Sequence, residues 1–191
     1  MTFTVPSGTA LQWIWLAWIL YWFGSALTAK RSVKRESSTS RLRTLLVVIP
    51  AAVLLSYTGL RFGILQRRFV PDSAALRAAG FLITFAGLGV TLWARHHLGK
   101  FWSARVALKQ DHELIRSGPY AYVRHPIYSG LFIALIGTAL VIGEWRALLA
   151  VLLVFLAHMD KARREEKLLA EQFGEAFATY RAETGWLFPG L

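Results

Sequence analysis

Residues 118–130 read GPYAYVRHPIYSG, which sets six polar or ionisable side chains and two prolines against the start of an apolar run. A helix opening there directs its unpaired N–H groups and the positive end of its dipole at whatever lies beside it, an anion or a cofactor included. Pro126 suits the first turn of that helix, because its missing N–H has no helical partner to lose. His125 then falls at the capping position. Arg124 and His125 stand at the entrance of the run, where ionisable groups require partners or water. Interfacial anchoring alone accounts for Tyr120, Tyr122 and Tyr128, so on composition that reading and a binding-site reading stand level.

The surroundings of the segment set the class of protein. Of 191 residues 55% are hydrophobic and 14% aromatic, with eight Trp, which is too apolar for an ordinary soluble domain. Apolar runs at 11–28, 42–60, 78–94 and 127–143 each approach the roughly 17–25 residues that cross a hydrocarbon core. A fifth, 147–159, is shorter. Glu144-Trp145-Arg146 before it reads as an interfacial turn, making 127–159 a transmembrane hairpin. The expectation is an all-α, multi-pass membrane helix bundle with five transmembrane helices.

Charge orients that bundle. The segments 29–43 and 94–126 hold six Lys/Arg each and the tail after Met159 holds five, whereas the other side holds only Arg61, Arg67, Arg68, Arg77 and Arg146. The positive-inside rule then places the amino terminus outside and the carboxyl terminus in the cytoplasm, and losing the fifth span would break this bias. The net charge of +11 lies mostly beside membrane segments, where it attracts anionic membrane lipids, so nucleic acid is not an expected partner. A cleaved signal peptide is disfavoured because Met1–Ala10 carries no Lys or Arg and the basic cluster follows the run. With no cysteine, disulfides, thiolate metal sites and a cysteine nucleophile are excluded.

Chemistry concentrates in the second half. Residues 1–93 read as three transmembrane helices and their loops, and 94–191 as a catalytic region made of a cytoplasmic loop, the hairpin 127–159 and a cytoplasmic tail helix. The connection 95–126 carries enough apolar residues to pack over the cytoplasmic mouth. Gly80, Gly87 and Gly89 in the third run would let a neighbouring helix approach closely. In the tail, Lys161, Glu165, Leu169 and Phe173 recur at four-residue steps, so Glu165 shares a face with inward-pointing apolar residues and needs a partner. Glu166 reads equally as a surface residue paired with Arg or as a ligand-binding group, while Glu171 and Glu175 read as solvated. Gly174 breaks the helix, leaving 175–183 as a short second piece, and 186–189 (WLFP) reads as an apolar latch. The five histidines lack the helical two-His spacing, so no metal is expected, and no glycine-rich phosphate loop is present.

Two blocks carry a resemblance. Gly118-Pro119-Tyr120 with Tyr122-Val123-Arg124-His125-Pro126-Ile127-Tyr128-Ser129-Gly130, then Arg164-Glu165-Glu166, Leu169, Phe173-Gly174 and Tyr180, resemble the isoprenylcysteine carboxyl methyltransferase family in order and spacing over roughly 95–189. The resemblance implies an integral membrane enzyme, short and of prokaryotic type. Such an enzyme takes S-adenosyl-L-methionine from the cytoplasm and a lipophilic or lipidated substrate from the bilayer. It implies a cofactor pocket of His112, Leu114, Gly118, Tyr120, Val123, His125, Pro126 and Tyr128, closed by Glu165 and Glu166. Arg163 or Arg164 would orient the substrate carboxylate, with Glu165 completing the catalytic group. The expected location is a prokaryotic cytoplasmic membrane, with the site facing the cytoplasm.

Elementary chemistry agrees with that implication. The cofactor presents an ammonium, a carboxylate and a sulfonium, which call for acids, for N–H groups or a cation, and for aromatic faces. Carboxyl methylation needs no general base, only alignment and removal of water from the nucleophile. A sterol-type reductase using NADPH shares a similar Arg-His-Pro segment and tail, but usually has Asn where this chain has Ile127. Methyltransferases of phospholipid amines or thiols fit the same residues. A non-enzymatic membrane scaffold would leave Glu165 and Arg124 unexplained.

Overall fold

A computed structural model describes residues 7–26, 32–35, 38–56, 63–99, 102, 107–109 and 114–190. Five long helices dominate it: α1 (Ser7–Ala26), α2 (Ser38–Ser56), α3 (Ala74–Leu98), α4 (Pro126–Ile142) and α5 (Trp145–Phe173), followed by the short α6 (Glu175–Glu183). To the all-α expectation it adds one small antiparallel pair, β1 (Ser32–Arg35) with β2 (Ala107–Lys109), in the register Ser32↔Lys109 and Arg35↔Ala107. The third helix outruns its apolar stretch by a full turn, so the connection to α4 begins at Gly99 rather than at residue 95.

Local chemistry sets the helix ends. The Ser73 hydroxyl accepts the Leu76 N–H at 3.2 Å to start α3, and Arg95, His96 and His97 sit in its last turn, where the dipole favours cations. Pro126 opens α4, and Gly143 closes it at φ 72°, returning its N–H to Ala139 at 2.8 Å. His125 occupies the capping position without a side-chain capping bond, which leaves its ring for other partners. α5 runs unbroken from the apolar hairpin into the charged tail and stops at Gly174, φ 49°.

The helices alternate in direction, and arginines tie their ends. At one end Arg95 reaches the Ser25 carbonyl of α1, and Arg164 lies 3.4 Å from the Thr44 hydroxyl of α2. At the other end, Arg146 donates to the Leu54 carbonyl of α2 and Arg68 to Ile142 of α4 at 3.3 Å. The Phe69 N–H bonds Gly143 at 2.9 Å there. The 29–43 and 94–126 connections therefore share one end, joined by the β1–β2 pair, as the charge count requires.

α3 and α4 make the closest helix contact. A Cβ on Gly80 would stand 2.7 Å from the Gly137 carbonyl oxygen, and one on Gly130 would stand 2.6 Å from that of Gly87. Gly89 faces open space, so of the three glycines read as a contact stripe only Gly80 and Gly87 serve. Thr84 and Thr138 lie in this seam, and α1 docks on it through indole N–H bonds from Trp15 to Thr138 (3.0 Å) and Trp18 to Thr91 (2.7 Å). Gly80→Leu should therefore cost about 1–3 kcal/mol or more by forcing the seam apart. Gly89→Leu should cost nothing, and thermal melts of the two variants in detergent check the contrast.

Large apolar side chains stand exposed on all five helices, among them Trp13, Phe23, Leu46, Leu82, Phe85, Ile136 and Leu156. Exposed apolar surface on that scale marks a face that meets a membrane or another protein. Among the described residues, Ala74–Leu98 is long and apolar enough to cross a membrane, and Leu42–Ser56 and Pro126–Ile142 are shorter apolar helices.

Candidate active site

The polar site sits where α4 begins and α5 leaves its apolar half. Periodicity turns Glu165 toward α4, and the Tyr128 hydroxyl donates to its carboxylate, 2.9 and 3.0 Å from the two oxygens. His125 stacks on Tyr128 with ring centroids 5.4 Å apart. Its Nδ1 lies 3.7 Å from Glu165 Oε2 and its Nε2 3.4 Å from Glu166 Oε1, so one imidazole stands between two carboxylates. Lys161, one turn before Glu165, brings its ammonium to 4.0 Å from that carboxylate and 5.6 Å from the Tyr128 ring.

Arg124 locks the second acid. Its Nε donates to Glu166 Oε1 at 2.7 Å, and its Nη1 donates to the carbonyls of Arg181 (3.0 Å) and Thr184. Burial works against the Glu166 carboxylate, but the His125 and Arg124 contacts outweigh it and hold this acid below its ordinary range. Glu166 is paired with an arginine, but with Arg124 of the preceding segment and at 14% exposure, so it is not the surface residue of the first reading.

The carboxyl-terminal segment closes the site through its backbone. Arg124 N–H bonds Gly185 at 2.9 Å, Gly185 N–H bonds Tyr122 at 3.1 Å, and His125 N–H bonds Trp186 at 3.2 Å. Ser129 donates to the Leu187 carbonyl, and the Leu187 side chain joins the core cluster of Tyr128, Phe132 and Leu135. The latch read from the sequence is thus Trp186-Leu187, since Phe188 and Pro189 are exposed. The Tyr180 hydroxyl donates to the Tyr120 carbonyl at 2.7 Å, and burial pushes that phenol up to about 12. Burial also pushes the Tyr120 phenol upward; Glu165 adds to the shift and Arg95 opposes it.

The structure thus brings together Tyr120, Val123, His125, Pro126, Tyr128, Glu165 and Glu166 of the residues named from sequence. Gly118 lies beside them at φ 59°, covered by the His97 ring, and Leu114 is half-buried at the start of the same segment. His112 lies outside the described residues. Arg164 points away, its guanidinium 2.9 Å from Asp160 and near Thr44, and the exposed Arg163 lies over the Trp186 ring at 5.6 Å. A surface crevice of about 400 Å³ lies outside the latch, lined by Tyr122, Glu183, Thr184 and Gly190, and holds none of the expected ligand-binding residues.

Sequence reading left Arg124, Trp186 and Arg95 off the ligand-binding set. Arg124 had its signal in standing beside His125 at a span entrance, and Trp186 in the apolar latch. Arg95 had none beyond being one more basic residue near a helix end. Among the described residues the buried side-chain polar atoms without a hydrogen-bond partner are Arg95 Nε, His125 Nε2 and Trp186 Nε1. Two of them belong to this site, and the third to the helix end that packs against its 118–121 turn. His125 Nε2 has Glu166 Oε1 3.4 Å away, so the unpartnered donors are Trp186 Nε1 and Arg95 Nε, and these beside paired acids fit a small zwitterionic ligand with its own acceptors.

Fold and site together define a helical-bundle membrane protein with an acidic, aromatic-walled site at one end. Residues 80–171, which take in most of α3, all of α4 and the acids of α5, match the model of the isoprenylcysteine carboxyl methyltransferase (ICMT) family. The protein-S-isoprenylcysteine O-methyltransferase of Schizosaccharomyces pombe is 34% identical over 125 residues, covering 64% of this chain and 52% of the relative. That of Saccharomyces cerevisiae is 33% identical over 109 residues, covering 56% and 46%. The cobalt-zinc-cadmium resistance protein CzcN of Cupriavidus metallidurans is 35% identical over 113 residues, covering 58% and 50%. The chain thus spans about half the length of the curated relatives it matches. The solved structure of a eukaryotic intramembrane Ras methyltransferase, ICMT, superposes with a TM-score of 0.54 at 21% identity, over 83% of this chain and 55% of that one, which shows a shared fold.

Proposed function

We propose that this chain is an integral membrane methyltransferase that uses S-adenosyl-L-methionine to methylate a lipophilic acceptor, the carboxylate of an isoprenylcysteine-like group. The supporting observation is the Tyr128–Glu165–His125–Glu166–Arg124 constellation, found inside the segment that matches the family model. In this reading all five long helices span the membrane, with the amino terminus outside and the site facing the cytoplasm of a prokaryotic cell. The shared end of the two basic connections supports that orientation.

The residues divide the work by charge. Glu165 takes the ligand's ammonium, and Tyr128 and His125 fix the carboxylate's direction. The Trp186 indole N–H, buried without a partner, offers a hydrogen bond beside the two acids. When bound, the cofactor supplies a methyl on a sulfonium and departs as a neutral thioether. An acceptor carboxylate with an ordinary pKa near 3.5 is already ionised, so no side chain needs to remove a proton. The protein's contribution is alignment and exclusion of water, with the tail segment 184–187 as the wall.

Two measurements test the reading: binding of radiolabelled S-adenosyl-L-methionine to the detergent-purified protein, and transfer of one methyl to an S-prenylated N-acetylcysteine. Saturable binding with transfer is expected. A folded preparation that binds no cofactor would overturn the assignment, and binding with transfer only to an amine or thiol would replace the acceptor class.

A further inference from the structure

Resting on that reading, we propose that Arg95 is the anion-holding group of the site, receiving a ligand carboxylate at the end of α3.

Two arginines of the described chain are almost wholly buried. Arg146, 4% exposed, is compensated by Glu144 at 2.5 Å. Arg95, 3% exposed, has no carboxylate within ion-pair distance among the described residues. Its partners are neutral: the Gly99 carbonyl at 2.8 Å, the Ser25 carbonyl, and the face of Trp102 at 4.5 Å from the ring centroid. Its Nε is buried with no acceptor. Carbonyls and a ring face ease a buried guanidinium without neutralising it, and such a charge without an anion is costly.

The surroundings connect this charge to the site. The last turn of α3 packs against the turn that carries Tyr120, with His97 Nε2 2.8 Å from Ser117 Oγ and its ring over Gly118. The Tyr120 hydroxyl responds electrostatically to both Glu165 and Arg95. An acid, a buried phenol and an uncompensated cation thus lie in one neighbourhood. That pattern suits a ligand bearing an ammonium or sulfonium at one end and a carboxylate at the other. The arginines named from sequence are less suited, because Arg164 is taken by Asp160 and Arg163 is exposed.

Both the cofactor and the acceptor carry a carboxylate, and four probes tell them apart. S-adenosylhomocysteine has the amino-acid carboxylate and 5′-methylthioadenosine lacks it. An S-prenylated N-acetylcysteine has the acceptor carboxylate and its amide lacks it. The proteins compared are the full chain, Arg95→Gln and Arg95→Lys, in detergent, with a melt of each.

If Arg95 holds the cofactor, Arg95→Gln weakens S-adenosylhomocysteine at least about tenfold and leaves 5′-methylthioadenosine unchanged. If it holds the acceptor, Arg95→Gln abolishes the preference for the acid over the amide and leaves S-adenosylhomocysteine unchanged. In either case Arg95→Lys, which keeps the charge without the fork, recovers part of the selectivity. Unchanged affinities in both variants, or equal losses for all four probes, would overturn the proposal. A folded unmutated chain that binds neither adenosyl probe would overturn the methyltransferase reading with it, whereas normal binding beside an indifferent Arg95→Gln removes only the role of Arg95.

Discussion

Glu165→Gln should lower the affinity for S-adenosyl-L-methionine by about 10- to 100-fold while moving the melting temperature little. The substitution keeps the volume and an oxygen to accept the Tyr128 hydroxyl, so the contact at 2.9 Å has a replacement. It removes the negative charge, and a charge-assisted hydrogen bond between ammonium and carboxylate contributes about 1.5–3 kcal/mol. At roughly 1.4 kcal/mol per decade, that range gives the expected loss. Lys161 at 4.0 Å would lose a counter-charge, but the Glu165 side chain is 23% exposed and water supplies part of the difference. Isothermal titration of the purified protein measures the effect, with the exposed Glu175→Gln as control. Equal affinities in the Glu165 variant and the unmutated chain would mean that the ammonium is held elsewhere. His125→Ala, which removes the ring between the two acids, should also weaken binding.

Local signals carried much of this site in the sequence. Pro126 marks the start of α4 because a residue without an N–H belongs in a first turn, and Gly174 marks the end of α5 because φ 49° is strained for other residues. Four-residue spacing put Glu165 on the inward face, where Tyr128 meets it. The same spacing could not choose between Arg163 and Arg164. Adjacent helical positions lie about 100° apart, and which of them meets α2 depends on how α2 packs.

Long-range backbone pairing was the least legible feature. Residues 185 and 186 join 122–125 through main-chain groups, which carry no side-chain signature, and sequence patterns suggested only an apolar latch. The α3–α4 seam shows a similar limit. Gly80, Gly87 and Gly89 look equivalent in sequence, but only the first two face Gly137 and Gly130 across the contact. A buried charge such as Arg95 reads as another basic residue until its neighbours are known.

Arg124→Ala should destabilise the folded protein by about 3–5 kcal/mol, because it leaves a partly buried carboxylate without its main cation. Arg124 and Glu166 are 10% and 14% exposed, so water screens the pair weakly. The guanidinium also holds the carbonyls of Arg181 and Thr184, so its loss should loosen α6 and the closing segment before the bundle. Hydrogen exchange should show 175–187 losing protection first. Adding Glu166→Gln to Arg124→Ala should recover part of the stability, since the stranded charge is then gone. The pH dependence has a definite sign. Glu166 is depressed in the folded state, so its contribution is fully present above its ordinary value of 4.5 and is lost as pH falls through the lower folded-state value. The melting-temperature gap between the unmutated chain and Glu166→Gln should therefore narrow on acidification below about pH 4.5. A gap constant from neutral pH to pH 4, together with strictly additive single variants, would show that Arg124 and Glu166 are neighbours without being coupled.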